Sequence, residues 1–313
     1  MVQTSIAPVS FRANAGDPAA FAAALGAGFE RHGFAVVSDH GVDPALSSGM
    51  LADAMAFFAL PESAKLAYRI PGAAGQRGYT PFRIETAKDA DHPDLKEFWH
   101  VGRQTSRTLG PALDNVWPAE VPAFREHALA LFSAFEALGG AILGAIGAHL
   151  RLPPGLLEDA VRGGNSVLRL LRYPPMNVAG DFAGPSVRAA PHEDINAITL
   201  LLGAEEAGLE LLDRNGDWLP IVPPSGAMVI NIGDMLARLT NDVLPSTTHR
   251  VVNPAPERRG VARYSMPFFL HFRGDFLIRT LPGCVTPDRP DRYPSPITAG
   301  EFLDERLREI RLA

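Results

Sequence analysis

The chain carries His192-Glu193-Asp194, then His249 57 positions after His192, then Arg263-Tyr264-Ser265 beginning 14 positions later. Two imidazoles and one carboxylate are the ligand set of a facial triad for non-haem Fe(II), which leaves positions open for oxygen and a co-substrate. On an extended segment residues i and i+2 share a face, so His192 and Asp194 project together while Glu193 points away. His249 is then expected from another strand that faces them across a barrel. Arg263 and Ser265, again i and i+2, offer a fixed cation and a hydroxyl suited to a co-substrate carboxylate. A purely structural metal site would not require that second pair. Zinc competes for two His and one carboxylate, but there is no HExxH and no evident second carboxylate placed as general base. The bland alternatives are a turn cap for Asp194 and a hydrogen-bonded core imidazole for His249.

Strands must carry these side chains, and the second half of the chain has the pattern for them. From about Asn165, short β-rich runs at 166–173, 197–202, 209–212, 218–222, 227–232, 247–252 and 263–272 are separated by Gly, Pro, Asn and Asp. Many short strands with turn signals argue for a sandwich or jelly roll. The first half reads helical. Asp17 is a fitting N-cap and Pro18 a first helical residue for a stretch to about Arg31. A strand at 33–37 and a helix at 44–58 follow, then a short helix through Tyr68. Residues 70–116 read as loops with one strand near Phe98. Between Pro118 and Leu150, apolar residues at Phe124, Ala128, Leu131, Phe135, Leu138, Ile142 and Ile146 fall on one helical face. A last helix is expected from Ala299 to Ile310. The helical half buttresses the β half. The expected organisation is one domain over 1–313: a helical region at 1–115, buttressing helices at 116–164, the jelly-roll core at 165–275 and a C-terminal extension at 276–313.

Composition narrows the classes of function. A length of 313 residues with 46% hydrophobic and 20% charged residues suits a globular protein with a sizeable core. The net charge of −6, with no block of Lys or Arg, argues against nucleic acid or an anionic membrane as partner. The weakly polar stretch 137–150 is too short to span a bilayer. A single cysteine, Cys284, allows no intrachain disulfide, and a reducing cytoplasm is the expected location. The N-terminus lacks the basic and apolar regions of a signal peptide.

The sequence resembles the isopenicillin N synthase-like family of 2-oxoglutarate/Fe(II)-dependent dioxygenases along nearly its whole length. Gly33-Phe34, Asp39-His40-Gly41-Val42 and Phe57-Phe58-Ala59-Leu60-Pro61 look like that family's leading helical region. PHEDINAITLLL, NIGDMLARLTNDVLPSTTHRVVNP and ARYSMPFF look like its double-stranded β-helix core. The resemblance implies His192, Asp194 and His249 as iron ligands. It implies Arg263, helped by Ser265, as a bidentate partner of the distal carboxylate of 2-oxoglutarate, and Tyr173 as a lining residue of that pocket. The implied cofactors are Fe(II), 2-oxoglutarate and O2, with succinate and CO2 as products. Hydroxylation of a small metabolite is the default outcome, with desaturation and ring closure also known in the family. Asp194 in the carboxylate position argues against halogenation.

Three departures stand out. Leu171 occupies a position that is often asparagine in plant members. The family's usual Asn-Gly turn reads Asn241-Asp242, so a left-handed residue falls on Asp. The His249–Arg263 interval is a few residues longer than is common, which 254–260 could absorb in a longer hairpin loop. Candidates for substrate contact are the segment 78–83, the run Lys96-Glu97-Phe98-Trp99-His100 and the tail after Phe272. Arg83 and Lys88 are weighed against solvated surface charge, and Phe98 and Trp99 against core packing. His40, His100, His127 and His271 have no partner motif and read as structural, and Glu205-Glu206 as an exposed loop. Two alternatives remain: an Fe(II) oxidase of the same fold that omits 2-oxoglutarate, and a non-catalytic β-barrel binding protein.

Overall fold

In the computed structural model, residues 6–86, 92–104, 114–176, 186–202 and 208–309 are described. Lys88 and Glu205-Glu206 lie outside them.

Helix Pro18–His32 begins where expected: the Asp17 carboxylate accepts the Ala20 N–H at 3.0 Å, and Pro18 needs no donor partner. It ends at Gly33, whose φ of 67° favours glycine and whose Cβ, if present, would collide with the Pro245 carbonyl. The chain can therefore turn at once into strand Phe34–Ser38. Helix Pro44–Phe58 is capped in the same way by Asp43. The longest helix runs Phe124–His149, starting later than Pro118 because 118–123 form single turns instead. By length and composition it could cross a bilayer, but its apolar stripe from Phe124 to Ile146 is buried in the core. There Phe132 meets the edge of Phe268 at 4.9 Å.

That helix packs against a nine-stranded sheet. Its order is Pro8–Ser10, Phe34–Ser38, Met228–Ile232, Ile198–Leu202, Phe268–Leu270, Val167–Tyr173, Glu97–Gly102, Gly78–Thr80, with Arg263–Ser265 also paired to Val167–Tyr173. The first pair is parallel and the rest antiparallel. A four-stranded sheet holds Ala189–His192, His249–Val251, Leu209–Leu212 and Trp218–Pro220 in that order. Alternation decides which face meets what. Leu168, Leu170, Ile198, Leu200, Met228, Ile230 and Phe268 face the helices in one large core that also takes in Phe21, Phe57 and Phe302. The opposite face turns inward, where Phe34 and Val229 meet Leu211 and Ile221 of the smaller sheet side. This is the jelly roll, mixed α and β, with helices before it and Ala299–Glu309 after it.

Several local expectations change. Among the described residues of 70–116 there are two strands, Gly78–Thr80 and Glu97–Gly102, and the second pairs along all of its length with Val167–Tyr173. The run 263–272 is two strands, interrupted at Met266-Pro267, where proline cannot donate to the ladder. The interval before Arg263 is not a hairpin. It crosses from the small sheet to the large one through a 3-10 turn at Pro256–Arg258. Helices Leu156–Val161 and Asp234–Leu239 are additional.

Candidate active site

The small sheet and the loop that leaves it bring the three candidate metal ligands together. Strand Ala189–His192 ends at His192, and Asp194 lies in the loop beyond it, so the pair does not share one strand as the i, i+2 argument supposed. His249 does not face them across the barrel either: it opens the neighbouring strand and is the direct cross-strand partner of His192. Cross-strand neighbours on one face stand only about 5 Å apart, which brings the rings to 4.4 Å between centroids. One ligand atom from each of His192, Asp194 and His249 lies within 4.8 Å of the others.

Each imidazole is oriented through its other nitrogen. His192 Nδ1 meets the Ala190 carbonyl at 2.7 Å and His249 Nδ1 meets the Thr247 carbonyl at 3.1 Å. A carbonyl only accepts, so Nδ1 carries the proton and each Nε2 keeps its lone pair. The edge of Phe34 holds the His249 ring from behind, at 5.5 Å. Burial and the adjacent His249 drive His192 down to about 4, which keeps it neutral at neutral pH.

Asp194 is 8% exposed. Its Oδ2 accepts from Thr199 Oγ1 and, at 2.8 Å, from Asn231 Nδ2. Its Oδ1 lies 3.8 Å from His249 Nε2, too far for a hydrogen bond and suited to a shared ion. Burial alone would raise this carboxyl, but His249, His192 and the two hydrogen bonds outweigh it and hold it below its usual value. The loop is pinned by the Asp234 N–H on the Asp194 carbonyl at 2.7 Å. A donor set of two free Nε2 atoms and one carboxylate oxygen on one side fits Fe(II).

The carboxylate-binding candidates lie on the inner face of the large sheet. Arg263 pairs with Tyr173 and Ser265 with Leu171, so all four share one face, and the Arg263 guanidinium sits 5.2 Å from the Tyr173 ring centre. Arg263, Ser265 and Tyr173 are buried. Leu171 packs with Phe98 and Tyr173. Tyr264, between Arg263 and Ser265, turns outward toward Phe58. The Asn241-Asp242 turn is left-handed at both residues, with φ of 52° and 56°. Asp242 is held there by Arg292 and Tyr293.

A cavity of about 890 Å³ opens onto His192 and Asp194. His100 and His271, expected to be merely structural, both line it, as do Lys96, Arg169 and Phe269. Lys96 contacts Glu85 at 2.5 Å and Asp94 at 2.7 Å, while Arg169 grips both oxygens of Glu85 and donates to His100 Nε2 at 2.5 Å. The tail after Phe272 contributes Tyr293, Phe302 and Arg306. His127 bonds Asp53 and His40 bonds the Gly226 carbonyl, away from the cavity. Trp99 is in the helical core, and Arg83 is exposed. Lys96 belongs to a run named as a substrate-contact candidate, whereas Thr199, Asn231 and Arg169 were missed as site residues. Their only sequence signal is a polar residue on one parity of an otherwise apolar strand, as in ITLLL, MVINI and VLRLLRY.

A jelly roll with this triad at its open end defines a non-haem iron oxygenase by fold and site. Residues 164–272 match the family described as 2OG-Fe(II) oxygenase superfamily, and residues 6–120 match non-haem dioxygenase in morphine synthesis N-terminal. The 2-oxoglutarate-Fe(II) type oxidoreductase hxnY of Emericella nidulans is 31% identical over 288 residues, covering 88% of this chain and 80% of that protein. A 2OG-Fe(II) oxygenase family protein of Caulobacter crescentus is similar in structure, with a TM-score of 0.86, 56% identity and coverage of 97% and 99% of the two chains. A full-length Neurospora crassa protein, solved in complex with alpha-KG and thymine, superposes with a TM-score of 0.85 at 28% identity, covering 97% and 96%. The chain belongs to the 2OG-Fe(II) oxygenase superfamily and is a 2-oxoglutarate- and Fe(II)-dependent dioxygenase.

Proposed function

We propose that His192, Asp194 and His249 ligate the iron, that Arg263 with Ser265 and Tyr173 binds the distal carboxylate of 2-oxoglutarate, and that a small polar metabolite is oxidised in the adjoining cavity. The observation that carries this reading is the fixed tautomer of both imidazoles. Each Nδ1 is committed to a backbone carbonyl, so both Nε2 lone pairs converge with Asp194 Oδ1. When bound, Fe(II) with 2-oxoglutarate and O2 supplies the oxidising power, with succinate and CO2 as products. The chain's own part is to hold and shield. Thr199 and Asn231 keep one Asp194 oxygen occupied and leave the other available. The Arg263 fork, buried beside Tyr173, suits a planar carboxylate better than an ammonium would. The Neurospora crassa relative takes thymine in its complex, and the polar wall of Lys96, Arg169 and His100 here suits a similarly small, hydrogen-bonding substrate.

Anaerobic titration with Fe(II) and 2-oxoglutarate tests the assignments through the weak visible charge-transfer band of the chelate. His192→Ala should abolish the band, and Arg263→Ala should weaken 2-oxoglutarate binding by at least about 10-fold. Iron binding without a band in the wild-type protein would overturn the 2-oxoglutarate assignment in favour of an oxidase that uses substrate and O2 alone.

A further inference from the structure

The cations that line the cavity have partners in the chain itself. Lys96 and Arg169 share Glu85, Arg292 meets Asp242, Arg306 meets Asp234, and Arg238, without a carboxylate, donates to the Ser295 carbonyl. Two neutral side chains in the same wall are committed at one end only, among the described residues. They are the Gln76 amide and the His271 imidazole.

The polarity of each open end is forced. Arg77 only donates, so the Asn165 atom that it meets at 3.2 Å is Oδ1, and Asn165 Nδ2 points the other way. Nδ2 also only donates, so its partner on Gln76, at 3.3 Å, is Oε1. The open end of Gln76 is therefore Nε2, a donor. His271 Nδ1 meets the Phe269 carbonyl at 3.2 Å, so Nδ1 carries the proton and the open Nε2 accepts. Burial pushes His271 down to about 4, which keeps the ring neutral and its lone pair available at neutral pH.

The two open ends are neighbours. Strand Phe268–Leu270 pairs with Val167–Tyr173 as Phe268 to Leu168 and Phe269 to Val167. The same register sets His271 opposite Asn165, and the His271 N–H reaches Ser166 Oγ at 3.3 Å. Cross-strand neighbours stand about 5 Å apart, so Asn165, which holds Gln76, stands beside His271. Phe269, two residues before His271 on the same face, is the cross-strand partner of Thr199, which holds the proposed iron ligand Asp194. The donor and the acceptor thus lie one inward position along the sheet from that contact.

We propose that Gln76 and His271 are the specificity-determining pair of this enzyme, and that its primary substrate presents to them a cis-amide edge, as a lactam or cyclic imide does. The substrate carbonyl accepts from Gln76 Nε2, and its N–H donates to His271 Nε2. A carboxylate or an ester has no proton for His271. An open-chain secondary amide is trans and holds N–H and C=O on opposite sides, whereas a ring fixes them on one side. The inference rests on the iron and 2-oxoglutarate reading above and narrows its substrate.

The test uses wild-type protein loaded anaerobically with Fe(II) and 2-oxoglutarate. The probes are 2-pyrrolidinone, 2-piperidinone and 2-quinolinone, each set against the lactone of the same shape: γ-butyrolactone, δ-valerolactone and coumarin. The visible band is recorded first. Its absence would count against the iron or 2-oxoglutarate assignment, and the pair is then judged on melting temperature alone. At least one lactam should shift the band and raise the melting temperature at a concentration at least about 10-fold lower than its lactone needs, because the ester leaves His271 without a donor. Cyclopentanol, which offers a hydroxyl in place of the amide edge, should do no better than the lactones. Gln76→Leu and His271→Phe, which remove one polar end and keep similar bulk, should each abolish the preference for lactam. That preference is a ratio within one protein, so a variant that is merely less stable leaves it unchanged. Equal responses to lactam and lactone, no response to any lactam, cyclopentanol matching the lactams, or a preference that survives either substitution would overturn the proposal. A rise in melting temperature with the band present but unmoved would overturn it too, by placing the lactam away from the iron.

Discussion

Asn231 shows how much of this site is made by residues that never touch the metal. It sits in the inward row across the large sheet, between Phe34 and Thr199, its cross-strand partners. From there its amide holds Asp194 Oδ2. Replacing it with an isosteric apolar group should leave the fold intact while freeing that oxygen. Asn231→Leu is therefore expected to raise the Fe(II) dissociation constant about 10- to 100-fold, the usual cost of losing an outer partner of a ligand. Iron titration followed by fluorescence or by the charge-transfer band checks this. An unchanged constant would mean that Thr199 alone positions the carboxylate.

At the scale of elements, the iron loop depends on a close approach between backbones. Gly233 precedes helix Asp234–Leu239, and a Cβ there would collide with the Asn196 carbonyl, in the loop that carries Asp194. The obstruction is backbone, which cannot swing away as a side-chain tip can. Gly233→Ala should displace the Asp194 loop, lowering the melting temperature and weakening iron binding together, with a penalty of about 1–3 kcal/mol. Gly139→Ala makes a useful contrast. Its new methyl would meet side-chain ends alone, Leu270 Cδ2 at 2.7 Å and Leu200 Cδ1 at 3.4 Å, and better helix propensity offsets those contacts. Denaturant melts of the two variants should differ clearly, with Gly139→Ala near wild type and its iron constant unchanged.

Across the whole molecule, the buried charge network ties the segment before Glu97 to the barrel wall. Burial alone would raise the Glu85 carboxyl, but Arg169 and Lys96 outweigh it and hold it far below the ordinary carboxylate range. A depressed carboxylate contributes stability that is present above its unfolded value, here about 4.5, and lost as pH falls below it. Glu85→Gln should cost about 3 kcal/mol at neutral pH, since it leaves Arg169 without a counter-ion. The gap in melting temperature between wild type and variant should be constant above about pH 5.5 and narrow below pH 4.5. A gap independent of pH would show that the network contributes packing and not charge. Metal removal acts differently. The large core lies on the helix side of the sheet and does not include the triad, so chelation should leave far-ultraviolet circular dichroism unchanged. Adding Fe(II) with 2-oxoglutarate should then raise the melting temperature with ligand concentration.

The sequence by itself determined the triad, the Arg263–Ser265 pair, most strand positions and both capped helices, because each is written in local chemistry or in short periods. Asp17-Pro18 and Asp43-Pro44 mark helix starts wherever they occur, and β-rich runs such as 198–202 or 228–232, set off by turn residues, need no partner to be read. What only the tertiary structure decided was pairing. His249 could be placed on a strand but not beside His192, because the choice of neighbour is set by which sheet each strand joins. The same holds for Lys96, Arg169, His100 and His271, whose roles follow from which face of the large sheet is turned inward. That face is fixed by the helix Phe124–His149 covering the other one, a contact between segments far apart in the chain that no local pattern encodes.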